Sequence, residues 1–114
     1  MPNNIEKIVN VFLEEVKKIL GNRLKKIVLY GSYARGDYNK SSDIDIMILT
    51  DLTDKEIHQY SQQIWEMCAD IEIDKGIVIS PLLRNIDSFN AWLDVKPFYK
   101  NIVNEGVVLV GKEE

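Results

Sequence analysis

The chain has one cysteine and one histidine in 114 residues, fewer basic than acidic side chains, and no long apolar run. A lone Cys68 rules out an internal disulfide and is in keeping with a reducing compartment. His58 has no second ligand at metal-binding spacing and falls on the polar side of its segment, so it reads as an exposed histidine. Lys and Arg number 14 against 18 Asp and Glu, a formal charge of −4. That balance argues against direct nucleic-acid binding, which needs clustered cations to neutralise many phosphates. The pairs Lys17-Lys18 and Lys25-Lys26 read as solvated faces. No apolar stretch approaches the roughly 18 residues that span a bilayer, and no basic-then-apolar leader opens the chain. The expectation is a cytoplasmic protein without membrane contact.

What is present suits one core. With 46% hydrophobic and 28% charged residues, residues 1–114 are expected to form a single domain. So short a chain has little material for a second, acceptor-binding domain, and a large acceptor must bring its own fold.

Ile5, Ile8, Phe12, Val16 and Ile19 recur at spacings of three and four, which predicts a first helix. Asn3 with Glu6 resembles a capping box, and Gly21-Asn22 marks the far end. Ile27 to Tyr30 reads as a buried strand that stops at a glycine. Residues 31–42 are rich in turn formers, with room for one helical turn after Gly31. Asp43 to Leu49 begins by alternating acid and isoleucine and becomes wholly apolar, a second strand with its acids at one end. Thr53 and Glu56 form another capping-box pattern ahead of Ile57, Tyr60, Ile64, Met67, Cys68 and Ile71, a second long helix. Gly76 to Ser80 is predicted as a third strand ended by Pro81. A short helix through Ile86, Phe89, Trp92 and Leu93 follows, then another from Pro97 to Asn104, then a strand from Val107 to Val110. Lys112-Glu113-Glu114 is expected to fray. This order predicts an α/β chain of the α+β kind, a mixed β-sheet with helices mainly on one face and the other face free to hold a site.

Asp43 and Asp45 are two apart on a strand, so both carboxylates point to one face while Ile44 and Ile46 point to the other. Two like charges 4–6 Å apart repel by roughly 3–4 kcal/mol at a protein-surface dielectric, and by half that or less once solvent and salt intervene. A divalent cation turns that repulsion into affinity, because Mg²⁺ takes carboxylate and phosphate oxygens together. Gly31-Ser32, directly after a strand, lets bare backbone N–H groups and a hydroxyl approach a phosphate.

Taken together, Gly31-Ser32-Tyr33-Ala34-Arg35-Gly36 followed by Ser42-Asp43-Ile44-Asp45 resembles the signature of the nucleotidyltransferase superfamily related to DNA polymerase β. Gly36-Asp37 and Ser41-Ser42 also match its small, stand-alone minimal nucleotidyltransferase branch, and the similarity in element order covers nearly the whole chain. The resemblance implies a polymerase β palm-like fold and transfer of a nucleoside monophosphate, usually AMP from ATP, to a hydroxyl acceptor such as a protein partner. In that scheme Gly31 and Ser32 hold the triphosphate, and Asp43 and Asp45 are the catalytic pair that binds Mg²⁺, with a two-metal arrangement open. Arg35 either assists the nucleotide electrostatically or braces the loop. The branch also implies a toxin–antitoxin role, in which a small helical HEPN-type protein is neutralised by AMP addition or by binding alone. A nucleotide-binding module with little turnover is a further alternative.

One departure stands out. Catalytic members supply a third carboxylate from a later, adjacent strand, yet Ile77 to Ser80 contains no acid. Asp70, Glu72 and Asp74 lie just upstream, where helical periodicity reaching Ile71 puts them at the end of the second long helix as solvated acids; one of them replacing the third carboxylate stays open. Trp65, Phe89, Trp92 and Phe98 read as core or interface residues, not base-stacking platforms, and Tyr33 and Tyr38 as packing against the loop, with flanking a nucleotide base or self-modification as alternatives.

Overall fold

The computed structural model describes residues 2–111. The expected fraying of Lys112 to Glu114 lies outside them. Helix α1 (Asn3–Leu20) passes through a 3₁₀ turn (Gly21–Arg23) into β1 (Leu24–Tyr30). The single turn α2 (Ser32–Arg35), strand β2 (Ile44–Thr50), helix α3 (Asp54–Lys75) and strand β3 (Ile79–Asn85) follow. Helices α4 (Ile86–Ala91) and α5 (Pro97–Glu105) and strand β4 (Val107–Val110) complete the chain. The four strands form a mixed sheet in the order β3-β2-β1-β4, with β1 antiparallel to β2 and β4 and with β3 parallel to β2.

The two long helices share one face. Ile5, Ile8, Val9, Phe12, Val16 and Leu20 of α1 and Ile64, Cys68 and Ile71 of α3 pack on Ile27, Leu29, Ile44, Ile46, Ile48, Ile79 and Leu83 of the sheet. Each such side chain, fully buried, contributes about 1.5–3 kcal/mol before chain entropy is counted. The second face is not left bare, because the run Ile46 to Leu49 is apolar on both sides. Val28, Met47 and Leu49 meet Phe89 of α4 and Tyr99 and Ile102 of α5. The two short helices therefore cover the middle of that face and leave its Asp45 end accessible.

Three local expectations are corrected. Asn3 does not cap α1: the helix begins one residue earlier than its pattern implied, Pro2 occupies the cap, and the Glu6 N–H bonds the Pro2 carbonyl at 2.9 Å. Pro81 does not end β3, which runs on to Asn85. The Val78 carbonyl accepts from the Ile44 N–H at 2.9 Å, so by alternation Ser80, Leu82 and Arg84 turn their backbone groups toward β2 and Pro81 turns its nitrogen to the open edge, where no donor is needed. Trp65, Trp92 and Phe98 are not core residues, being 62%, 49% and 48% exposed, while Phe89 is buried.

The second capping box forms as its pattern requires. The Glu56 N–H donates to Thr53 Oγ1 at 3.2 Å and the Thr53 N–H to Glu56 Oε1 at 3.1 Å. Arg23 donates to both Glu56 oxygens at 3.0 Å and also to Asp51. This three-residue network ties the start of α3 to the turn before β1. No helix among the described residues is long and apolar enough to cross a membrane.

Candidate functional site

Strand β1 ends at Tyr30 and the chain turns at Gly31, with φ +75° and ψ −155°. A methyl group on Gly31 would collide with the Asp45 carboxylate, so only glycine lets this backbone lie against that side chain. The Ala34 and Arg35 N–H groups bond the Gly31 carbonyl at 3.1 and 3.0 Å, closing α2, and Gly36 ends it in the left-handed region at φ +88°. The first N–H groups of such a turn have no partner within it. Tyr33 is buried and stacks on Tyr38 with ring centres 4.6 Å apart. Asn39 Oδ1 accepts from the Ser41 N–H, and Ser42 Oγ from the Asn39 N–H, both at 2.8 Å. The polar loop is thus internally tied as it delivers the chain to Asp43.

In the sheet register Asp45 lies between Tyr30 and Ser80. Asp45 shares the face of Met47 and Leu49, opposite the long helices, and Asp43, just before the strand, adds its charge there, so the site lies where an apolar face turns acidic. Asp43 is exposed and Asp45 half-buried. Burial, then the charge of Asp43, holds the Asp45 carboxyl above its ordinary range against the pull of Arg35. Burial and Asp45 together push the Tyr30 hydroxyl up to about 12, with Arg84 opposing.

Asp45 and Tyr30 border a cleft of about 380 Å³. One end is polar, with Gly31, Ser32, Arg35, Asp45 and Glu105; Tyr30, Phe98, Asn101 and Ile102 complete its walls. Asp43 stands outside those walls. The Arg35 guanidinium donates to Asp37 Oδ2 and to Glu105 Oε2, each at 3.2 Å. Arg35 thus both faces the cleft and braces the loop against α5. A larger cavity of about 690 Å³ lies between the sheet and helices α4 and α5, but its walls include Lys25, Lys26 and mostly apolar side chains, and, among the described residues, no acid.

The whole α5 wall went unforeseen in the sequence. Phe98, Asn101, Ile102 and Glu105 stand at i, i+3, i+4 and i+7, one helical stripe. That spacing is readable, but its mixed chemistry hides it from an apolar-periodicity count. Asp70, Glu72 and Asp74 are exposed on α3, the helix on the far side of the sheet, so they do not join Asp45. On its own face β3 offers Ser80, Leu82 and Arg84. Among the described residues, no three His, Cys, Asp or Glu side chains cluster closely enough to hold a metal ion.

The architecture is that of a nucleotidyltransferase fold. It resembles a solved structure described as a putative nucleotidyltransferase from Sulfolobus solfataricus, with a TM-score of 0.57 and 20% identity over 95% of this chain and 81% of the other. A toxin–antitoxin structure with AMP-PNP matches with a TM-score of 0.55 and 20% identity over 90% of this chain and 73% of that one. At such identities the likeness shows the fold alone. The family model described as "Nucleotidyltransferase domain" matches residues 9–109. "Putative protein adenylyltransferase MJ0604" of Methanocaldococcus jannaschii is 35% identical over 93% of this chain and 98% of its own length. A second protein of the same description from that organism, MJ0141, is 33% identical over 69% of this chain and 78% of its own. The chain belongs to the nucleotidyltransferase domain family, in the branch related to DNA polymerase β.

Proposed function

We propose that the chain transfers AMP from ATP to a hydroxyl group on a protein partner, with release of pyrophosphate. The observation that carries this reading is the contact of Gly31 with Asp45: a turn suited to phosphate and a carboxylate suited to a cation meet in one cleft. The naming of a 35% identical relative as a protein adenylyltransferase supports the choice of AMP and of a protein acceptor.

The donor set fits Mg²⁺, which commonly takes one or two carboxylates and completes its shell with water and phosphate oxygens. Asp43 and Asp45 would hold it; burial first, and the charge of Asp43 second, raise the Asp45 carboxyl, and a cation there relieves both. When bound, Mg²⁺ neutralises charge on the triphosphate. Gly31 N–H and Ser32 Oγ hold phosphate oxygens, and Arg35, a basic side chain on the cleft wall, adds positive charge at the leaving-group end. The acceptor oxygen forms a bond to the α-phosphorus as the bond to the β-phosphate oxygen breaks, and its proton passes to solvent.

With Ser80, Leu82 and Arg84 on β3, no carboxylate is supplied there to take that proton. A missing general base lowers rate by about 10²–10⁴-fold and leaves nucleotide binding intact. This observation favours a second reading, in which the chain acts as an antitoxin-like partner of a small helical HEPN-type protein and neutralises it by binding, with little turnover.

Transfer of label from α-labelled ATP, with Mg²⁺ and candidate partners, tests the first reading. Wild type should label the partner and the Asp43→Ala/Asp45→Ala variant should not; equal labelling by both would sink it. A stable partner complex that forms equally well with that variant, without labelling, selects the second reading.

A further inference from the structure

We infer that the α5 wall of the cleft is a nucleobase subsite, in which Phe98 stacks on the base and Asn101 reads an adenine edge. The inference rests on the Mg²⁺-triphosphate reading of the polar end. Helix α5 carries Glu105, paired with Arg35 at that end, and Phe98, seven residues away. At 1.5 Å per residue the two lie about 10 Å apart along the axis, comparable with the reach from the terminal phosphates of a nucleoside triphosphate to its base. A triphosphate at Gly31, Ser32 and Arg35 therefore brings its base beside Phe98.

Phe98 is suited to receive it. The ring meets Tyr30 edge to face, 5.7 Å between centres and 80° between planes, which fixes its orientation. Yet 48% of the residue remains exposed, at the wall of a cleft and not on a convex surface. A large apolar ring fixed in place and left open is a stacking platform, and stacking tolerates any base.

Asn101, one turn along the same stripe, also lines the cleft. Its amide offers one acceptor and one pair of donors. The N6 amino group and N7 of adenine match both, whereas O6 and N7 of guanine are both acceptors and leave the amide oxygen unpaired. Phe98 thus supplies affinity for a base, and Asn101 supplies preference for adenine over guanine.

Calorimetric titration with Mg²⁺ and tripolyphosphate, a non-hydrolysable ATP analogue or the matching GTP analogue tests this. Wild type should bind the ATP analogue more tightly than tripolyphosphate. Phe98→Ala should weaken the ATP analogue roughly 5- to 100-fold and leave tripolyphosphate unchanged, with Phe98→Tyr restoring affinity. Asn101→Ala should bring the two nucleotide analogues to within about twofold of each other from a gap of about tenfold. Circular dichroism and melting of each variant confirm the fold. If Phe98→Ala leaves the ATP analogue unaffected, or weakens it and tripolyphosphate equally, the subsite is wrong while the triphosphate reading stands. If wild type binds none of the three, both fall.

Discussion

Replacing Asp45 by Asn keeps the side chain's size and removes its charge, and two quantities should then move in opposite directions. Asp43 and Asp45 are two residues apart in the chain, about 6.6 Å on extended backbone. Unit charges at that distance repel by about 2.5 kcal/mol at an effective dielectric of 20 and about 0.6 kcal/mol in water. Physiological salt roughly halves both figures. Asp43 is exposed and Asp45 only half-buried, so the relief on neutralising Asp45 is about 0.3–1 kcal/mol, a rise of a few degrees in Tm. The sign follows from the raised Asp45 carboxyl. The folded state holds that proton more tightly than the unfolded state does, so stability declines as pH rises through the shifted value. The gain of Asp45→Asn is therefore full at neutral pH and disappears as pH falls below the ordinary carboxylate value of 3.8. Ligand acts the other way: at a hundred times its Kd, Mg²⁺-ATP stabilises the wild type by about 2.7 kcal/mol, and the variant should lose most of that. Melting curves in EDTA and in Mg²⁺ with a non-hydrolysable ATP analogue read both effects. A variant that melts below wild type in EDTA, or gains as much from ligand, refutes the reasoning.

Gly31→Ala should cost about 1–3 kcal/mol from its positive φ and also displace Asp45, so it should weaken nucleotide binding. Gly36→Ala, at φ +88° but with open space around it, should lower Tm while sparing affinity; equal affinity losses would contradict the contact assigned to Gly31. Arg23 holds the Glu56 carboxyl down at about 2, chiefly by hydrogen bonding. That contribution is present above the ordinary value of 4.5 and is lost as pH falls from there toward 2, so Arg23→Ala should flatten Tm against pH across that window. Burial pushes the Cys68 thiol up to about 12, and native protein at pH 8 should react with a thiol reagent only as fast as it unfolds; rapid stoichiometric reaction would contradict its burial.

The legible parts of this chain are those whose information is local. Asp45 faces the same side as Met47 because strands alternate, Gly31-Ser32 stands where a strand must turn, and Thr53 with Glu56 encodes a cap within four residues. What sequence reading missed depends on distant partners. Pro81 reads as a terminator until β3 is known to be the outer strand, with the nitrogen of Pro81 turned to the open edge. Glu105 is an ordinary helix-end acid until folding brings Arg35, seventy residues earlier, within 3.2 Å. Phe98 looks like core material because aromatic rings usually are; only the packing of α5 beside Tyr30 shows its ring half open. Asp70, Glu72 and Asp74 are near β3 in sequence but on the far side of the sheet in space, because α3 faces Ile44, Ile46 and Ile48.

The central claim is that one cleft brings a phosphate-holding turn and the Asp45 carboxylate together, with Asp43 beside the cleft completing the metal site. A crystal structure of the chain with Mg²⁺ and a non-hydrolysable ATP analogue tests it most directly. The account predicts Mg²⁺ about 2.0–2.1 Å from oxygens of Asp43 and Asp45, with triphosphate oxygens on Ser32 and the Gly31 backbone. Nucleotide bound instead in the larger cavity beneath α4 and α5, or metal bound away from both aspartates, would contradict it.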